Sequence, residues 1–207
     1  IPRWLEYTLA VLGVCCLQDT PARWVAIHRK HHQHSDEQPD PHSPLVTFLW
    51  GHMGWLLVEN RDVNNLATYE KYARDIKEDR WDKLLFNHAM VGIVGGTIVL
   101  CAVLGIGWGL LAATIHGVMY VFVLSSSING LCHHTGYKNF DNTATNLRFL
   151  ALLTGGEGLH NNHHGFPRSP KFSIRPSEID PAWPVIKLLT LLKLARPYRT
   201  IDEAIEA

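Results

Sequence analysis

Two long apolar runs dominate the pattern of hydrophobic and polar positions along this chain. Leu84 to Leu104 and Trp108 to Ile128 are each 21 residues long and contain no Asp, Glu, Lys or Arg. A helix of about 20 apolar residues crosses the hydrocarbon core of a bilayer, and it satisfies its own backbone hydrogen bonds there. The pattern therefore predicts two transmembrane helices, over residues 84–104 and 108–128, joined by a turn at Gly105-Ile106-Gly107.

Shorter apolar segments flank these runs. Residues 5–17 are mostly apolar but too short to cross a bilayer comfortably, which favours an interfacial or re-entrant helix. Asp19 or Thr20 followed by Pro21 is typical of a helix start. Residues 185–195 are apolar with two spaced lysines, which predicts an amphipathic helix on the membrane surface.

Composition removes several classes of function. Lys plus Arg equals Asp plus Glu at 19 each, so no global charge points to a nucleic-acid partner. The four cysteines form no C-x-x-C motif, which argues against a zinc ribbon or a disulfide framework and indicates a reducing compartment. Histidine is abundant at 13 residues, and its distribution carries the candidate chemistry.

Histidines occur twice with the spacing H-x-x-H-H, at 28–32 and again at 160–164. Positions i, i+3 and i+4 share one face of a helix, so each cluster can aim three imidazoles at one point. Imidazole binds iron, zinc, copper and nickel. Six clustered histidines exceed the ligand number of a zinc site, which favours two metals sharing the ligands. H-E-x-x-H is absent, and so is the pair of Glu-x-x-His motifs of carboxylate-bridged di-iron bundles, because that spacing occurs once, from Glu157 to His160.

The predicted topology places both histidine clusters on one side of the membrane. Residues 28–32 precede the two spans and residues 160–164 follow them, and two crossings return a chain to the side it left. The turn between the spans carries no charge, whereas the other side carries Arg61, Lys71, Arg74, Lys77, Arg80, Lys83, Lys138 and Arg148. By the positive-inside rule we expect an integral membrane protein whose histidine face is cytoplasmic.

The chain resembles the integral-membrane fatty acid desaturases, specifically the acyl desaturases of the stearoyl, delta-nine type. The resemblance rests on H-R-K-H-H-Q-H-S-D-E-Q-P-D-P-H at 28–42, G-H-M-G-W-L-L-V at 51–58, N-G-L-C-H-H-T-G-Y at 129–137 and G-E-G-L-H-N-N-H-H-G-F-P at 156–167. The segments P-R-S-P-K-F-S at 167–173 and D-P-A-W-P-V-I at 180–186 resemble bacterial members in particular. The implied fold is all-α: a transmembrane helical bundle with a cytoplasmic histidine-box cap domain.

The resemblance implies a di-iron centre ligated almost wholly by histidine. The implied metal ligands are His28, His31, His32, His133, His160, His163 and His164. Asn129 matches a residue that holds an iron-bound water, and His134 is the alternative to His133. The implied reaction is the oxygen-dependent removal of two hydrogens from adjacent methylenes of a saturated acyl chain, which leaves a cis double bond.

One part of the family pattern is missing from this chain. The family has an earlier box, H-x-x-x-x-H, and no histidine precedes His28. We therefore expect residues 1–207 to be one partial desaturase domain, with further spans upstream in the natural protein, and we expect this segment alone to be inactive.

The sequence leaves the partners and two other functions open. The acyl group can be attached to coenzyme A, to an acyl carrier protein or to a membrane lipid. The implied electron donor is a small protein such as a ferredoxin or a b-type cytochrome. A related membrane hydroxylase or ketolase can share this ligand set. A catalytically incomplete membrane fragment that binds metal poorly is the alternative of a different class.

Several polar residues near these motifs have two readings. His88 and His116 lie in the predicted spans, where a helix-to-helix hydrogen bond is favoured over metal binding. Asp36 and Asp40 either orient ligand imidazoles or cap turns. Glu157 is either a partner of a ligand histidine or a charge at a helix start.

Overall fold

A computed structural model describes residues 1–17, 20–58, 65–76 and 78–206. Within these residues the regular secondary structure is helical, apart from two isolated bridges that join Tyr137 to Asn146 and Asn146 to Leu159. The expected all-α fold is confirmed. The chain divides into a hairpin unit, Arg3–Pro41 with Trp55–Val123, and a C-terminal unit, Ile1–Pro2 with His42–Gly54 and Leu124–Ala207.

The α-helices of the described residues follow one another along the chain. They are α1 (Arg3–Cys15), α2 (Pro21–Gln33), α3 (Phe48–His52), α4 (Leu66–Tyr72), α5 (Ala89–Leu104), α6 (Ile106–Val118), α7 (Ser126–Gly130), α8 (Arg148–Leu153), α9 (His160–Gly165), α10 (Ala182–Leu191) and α11 (Ile201–Ile205). Short 3-10 helices cover Gly54–Leu56 and Leu131–His133, and π-helical segments cover Asp82–Phe86 and Met119–Ser125.

The helix that carries the first histidine cluster begins where the sequence predicts. Thr20 is the N-cap of α2 in an extended conformation, and Pro21 is the first helical residue. Proline suits this position because its missing N–H would have no partner inside the helix. Asp19, the other candidate cap, lies outside the described residues.

Helices α5 and α6 form the antiparallel pair that the two apolar runs predict. The predicted three-residue turn is shorter in the structure, where Gly105 alone separates the helices with a φ of +81°. A Cβ added at Gly109 would lie 2.4 Å from Cys101 Cα, so the two backbones touch at this glycine. Helix α5 begins at Ala89 rather than at residue 84, because a π-helical segment ends at Phe86 and His88 becomes the N-cap.

One continuous helical stretch, Ile106–His133, is long and apolar enough to cross a membrane. Only 6% of its most apolar window is buried in the protein, so its apolar faces are open to the surroundings. Met90–Leu104 and Ala182–Leu191 are apolar helical stretches of shorter length. The two spans at 84–104 and 108–128 stay a prediction.

Helix α1 packs against the helical pair within the hairpin unit. A Cβ on Gly92 would lie 2.3 Å from the backbone of Val14, so α1 and α5 are in close contact. His116 Nε2 lies 3.1 Å from the Cys15 carbonyl oxygen and donates to it. The helix-to-helix hydrogen bond predicted for His116 is therefore confirmed.

The core of the C-terminal unit lies around the second histidine cluster. Cys132, Ala144, Ala151 and Leu159 have no exposed surface. The segment around Thr145 runs between two others, because its N–H donates to Cys132 O at 2.6 Å and its carbonyl accepts from the Asn161 N–H at 3.3 Å. These backbone bonds bring the chain after α7 against the start of α9.

Candidate metal centre

Helix α2 carries the first cluster in the hairpin unit. The rings of His28 and His32 lie one turn apart with centroids 4.5 Å from each other. Each of these two rings offers a nitrogen within 4.8 Å of the other's. His31, on the same helix, has 1% of its surface exposed, and its ring centroid is 5.7 Å from that of His32. The i, i+4 spacing thus brings His28 and His32 together on one face, and His31 is a buried neighbour of His32.

Asp40 fixes the orientation of His31. Its two carboxylate oxygens lie 3.0 and 2.9 Å from His31 Nδ1, and both side chains are almost fully buried. The Asp36 N–H also donates to Asp40, at 2.7 Å. A carboxylate accepts a hydrogen bond from Nδ1–H, which keeps the proton on Nδ1 and leaves Nε2 as the metal-binding nitrogen. Asp40 therefore does both things that the sequence suggested, since it orients His31 and also caps the turn at Asp36.

Arg29 anchors α2 to the region after α4. Its guanidinium donates to both carboxylate oxygens of Asp75, at 2.5 and 3.0 Å, and to the Tyr72 carbonyl at 2.8 Å. The hydrogen bond from Arg29 lowers the pKa of Asp75. His34 Nε2 lies 3.2 Å from the Tyr72 hydroxyl, so this histidine belongs to the same anchor.

The second cluster lies on α9 in the C-terminal unit and meets His133. The ring centroid of His133 lies 4.9 Å from the ring centroid of His160 and 4.9 Å from that of His164. The ring centroids of His160 and His164 are 4.5 Å apart. Each of the three rings offers one nitrogen within 4.8 Å of the others. His160 Nε2 and His164 Nε2 are 3.1 Å apart. Three imidazoles therefore converge on one point in this unit.

Three further residues named in the sequence analysis lie in the same unit: Asn129, His134 and His163. His163 is buried, with its ring centroid 5.8 Å from that of His160 and 4.7 Å from that of Phe172. Asn129 is on α7, one turn before His133, and is half-buried. His134 is exposed, and its ring faces Phe48 at 5.7 Å. The geometry therefore favours His133 over His134.

A glycine-rich turn leads into α9. Gly155 and Gly156 have φ values of +69° and +111°, which favour glycine because it lacks a Cβ. A Cβ on Gly158 would lie 2.2 Å from the Ala151 nitrogen, so the turn packs directly against α8. The sequence G-G-E-G thus forms a tight connection that sets where α9 begins.

Glu157 lies in this turn and keeps part of its surface exposed. Desolvation by the surrounding protein, and then the negative charge of Asp180, raise the pKa of Glu157 to about 7. A carboxyl group with this pKa changes its charge near neutral pH.

Two asparagines within the second cluster were not anticipated from the sequence. Asn161 and Asn162 have no exposed surface, and both make several side-chain hydrogen bonds. They point away from the histidines, because positions i+1 and i+2 lie on the opposite face of the helix. Asparagine is a poor helix former, and this was the available signal that the pair has tertiary partners.

The donor set of the C-terminal unit fits a transition metal. His133, His160 and His164 are neutral-imidazole donors at mutual distances that one ion can bridge, and His133 and His160 are buried. Imidazole suits iron, zinc and copper alike. The geometry alone indicates a metal centre without naming the metal.

Comparison with known proteins supplies the family. The sequence profile described as fatty acid desaturase matches residues 1–200. The chain belongs to the fatty acid desaturase family. The family assignment made from the histidine boxes is therefore confirmed.

Several characterised relatives match over nearly the whole chain. The chain is 33% identical to the sn-1 stearoyl-lipid 9-desaturase of Synechocystis sp., over 98% of this chain and 63% of the relative. It is 34% identical to the enzyme of the same description from Anabaena variabilis, over 98% of this chain and 74% of the relative. It is 36% identical to the acyl-CoA C20 Delta5-desaturase of Anemone leveillei, over 98% of this chain and 65% of the relative. The chain thus spans about two thirds of the length of these relatives.

Proposed function

We propose that the protein is an oxygen-dependent fatty acyl desaturase that introduces a cis double bond into a saturated acyl chain. The observation that carries the proposal is the convergence of His133, His160 and His164 in a member of the desaturase family. Relatives that match this chain are named as desaturases of stearoyl lipids and of acyl-CoA. The choice among acyl-CoA, acyl carrier protein and acyl lipid stays open.

The proposed cofactor is a pair of iron ions. The proposed ligands are the histidines that the sequence predicts: His28, His31, His32, His133, His160, His163 and His164. Bound iron supplies the activation of O2, and the balance of the reaction is one O2, two electrons and two protons for two hydrogens removed and two waters formed. Asn129 is proposed to hold an iron-bound water.

The described residues contribute orientation and burial to this chemistry. Asp40 holds His31 in one tautomer, and the Arg29–Asp75 pair holds the helix that presents it. His31, His133, His160 and His163 are buried, which keeps bulk water from the imidazoles. Removing water strengthens electrostatic interactions at a site.

The proposed setting is a membrane with the histidine face in the cytoplasm. The Ile106–His133 helix has the length and composition of a span, and an apolar substrate is delivered from lipid. The proposed partners are a membrane lipid or acyl thioester as substrate carrier and a small electron donor, either a ferredoxin or a b-type cytochrome.

Product analysis tests the proposal against its alternatives. The complete protein, expressed in a host that lacks an endogenous desaturase, is expected to produce monounsaturated chains that gas chromatography with mass spectrometry detects. The variant His160→Ala serves as the inactive control. Hydroxy or keto acyl products would identify a hydroxylase or ketolase instead. An unchanged lipid profile with little or no bound iron would favour the catalytically incomplete membrane protein that binds metal poorly.

A further inference from the structure

A network of buried amides and one carboxylate supports α9 on the side away from the histidines. Helix α9 has six residues, too few to be stable through its own hydrogen bonds. Its histidines occupy one face, and Asn161 and Asn162 occupy the other. The position of the imidazoles therefore depends on what holds these two asparagines.

Asn161 binds the loop that precedes α8. Its Oδ1 accepts from the backbone N–H groups of Asn139 and Phe140, at 2.7 and 2.9 Å. Its Nδ2 donates to the carbonyls of Phe140 and Ala144, each at 3.0 Å, and to Asn142 Oδ1 at 2.8 Å. One side chain thus closes the 139–144 loop onto the ligand helix.

Asn162 binds two different segments through its amide. Its Oδ1 accepts from Asn139 Nδ2 at 2.8 Å and from Asn146 Nδ2 at 3.0 Å. Its Nδ2 donates to the Phe172 carbonyl at 2.7 Å and to Glu178 Oε2 at 3.1 Å. Both amide hydrogens and both oxygen lone pairs of Asn162 are used. The nitrogen therefore cannot be replaced by an acceptor, and the oxygen cannot be replaced by a donor, without loss of hydrogen bonds.

Glu178 receives donors on both of its oxygens. Oε1 accepts from the Tyr137 hydroxyl and from Asn139 Nδ2, each at 2.8 Å. Oε2 accepts from the N–H groups of Ile174 and Arg175, at 2.7 and 3.0 Å, in addition to Asn162. The side chain is buried, with 6% of the residue exposed. Burial alone would raise the pKa of Glu178, but these hydrogen bonds outweigh it and lower that pKa.

We propose that Asn162 and Glu178 are positioning residues of the metal centre, which hold α9 so that His160 and His164 meet His133. This inference rests on the proposed function, because it requires that these histidines bind metal. The two residues act through the ligand helix and contact neither substrate nor metal. A change that reverses the donor pattern at the pair displaces the imidazoles and weakens metal binding.

Two near-isosteric variants test the pair. Asn162→Asp replaces the donating amide with an oxygen that faces the Phe172 carbonyl and the Glu178 carboxylate. Glu178→Gln places an NH2 group against N–H or O–H donors in either orientation. Each is expected to weaken Fe²⁺ binding by about tenfold or more, the usual effect of losing a partner that supports metal ligands. The second variant keeps the test decisive if the first does not fold.

Two controls separate positioning from chemistry and from general stability. Asn87→Asp makes the same amide-to-carboxylate change beside a glutamate, since Asn87 Nδ2 donates to Glu78 Oε1 at 3.0 Å in an exposed part of the hairpin unit. Thr200→Ala removes the capping box of α11 and so lowers the stability of the C-terminal unit at a position outside the Asn162–Glu178 network. Both controls are expected to bind Fe²⁺ as the wild type does.

The measurement is an anaerobic Fe²⁺ titration of the complete, metal-free protein in detergent, with thermal unfolding of each metal-free variant alongside. Co²⁺ titration adds a readout of ligand geometry, because its visible absorption changes with the ligand arrangement. The proposal is supported if Asn162→Asp and Glu178→Gln both bind Fe²⁺ more weakly and give an altered Co²⁺ spectrum while the two controls behave as the wild type. Wild-type affinity in Asn162→Asp and Glu178→Gln overturns it and leaves the proposed function intact. A wild-type protein that binds no Fe²⁺ overturns the metal centre and this role together.

Discussion

At the scale of single residues, partners outside the histidine motifs determine how the imidazoles are presented. Asp40 sets the tautomer of His31 from the loop after α2. Asn162 acts from the back of α9. The sequence predicts the imidazoles, because their spacing is local, and Asp40 was one of three candidate partners, with Asp36 and Glu157. The supporting role of Asn161 and Asn162 was not predicted, because their hydrogen-bond partners lie in other segments and no local periodicity indicates them.

The Asp40 contact predicts a loss of metal affinity without loss of the fold. Asp40→Ala removes the acceptor at His31 Nδ1, so the ring is free to rotate or to change tautomer. We expect iron affinity to fall about 10- to 100-fold, as for other carboxylates that support a ligand histidine. Iron per chain in the purified protein measures the effect. Asp141→Ala, at an exposed aspartate, is the control, and an equal iron content in both variants would contradict the orienting role.

Glu157 predicts a pH dependence of stability. Its pKa of about 7 in the folded protein exceeds the value of about 4.3 in an unfolded chain. Between these values the folded state holds a proton that the unfolded state has released, so the free energy of unfolding falls as pH rises toward 7. The stabilising contribution is complete below about pH 4 and is lost as pH rises through the folded-state pKa.

The variant Glu157→Gln isolates this contribution. We expect it to raise the thermal midpoint relative to the wild type at pH 7.5 and to leave it nearly unchanged at pH 4. Thermal unfolding of both proteins in the same detergent and buffers measures the difference. A difference between the two proteins that is the same at both pH values would show that Glu157 ionises normally.

At the scale of elements, glycines decide how closely helices approach. Periodicity and length predict the paired apolar helices, and the structure has both. Neither property shows which glycines lie at the contact. Gly109 lies against Cys101 of α5, whereas a Cβ on Gly107 would have nothing within 4 Å. Gly107 and Gly109 are only two positions apart on α6, yet one lies in open space and the other lies against the backbone of α5.

This contrast predicts opposite effects of the same substitution. Gly109→Ala forces a methyl group into the α5 backbone and is expected to destabilise the protein by about 1–3 kcal/mol, as for other overpacked sites. Gly107→Ala adds a methyl group in open space and removes a helix-weakening glycine, a gain of up to about 1 kcal/mol. Thermal unfolding in detergent compares the two variants. Equal midpoints for both would refute the close contact.

At the scale of the whole molecule, the distribution of charge predicts how the chain crosses the membrane. The predicted orientation rests on an uncharged turn between the two spans and on basic residues in the flanking segments. It requires the loop around Asp141 and the turn around Gly107 to lie on opposite sides of the membrane. Spacing along a chain predicts crossings, but only labelling from each side establishes them.

Cysteine accessibility measures this orientation. In intact cells, a membrane-impermeant maleimide is expected to label Gly107→Cys, and it is expected to label Asp141→Cys only after the cells are opened. The unsubstituted chain supplies the background from its four native cysteines. Labelling of Asp141→Cys in intact cells would place the histidine face outside the cytoplasm.

The helical class, the two apolar helices and the start of α2 could be predicted from the sequence, because each depends on residues close together in the chain. The family followed from several motifs, each of them a continuous segment. Spacing of three and four residues also determined that each histidine cluster shares a face. The tertiary structure decided that His133 rather than His134 joins the cluster on α9, and that Asn161, Asn162 and Glu178 support that helix. Those choices depend on hydrogen bonds and burial between distant segments, and composition and periodicity do not encode which segments meet.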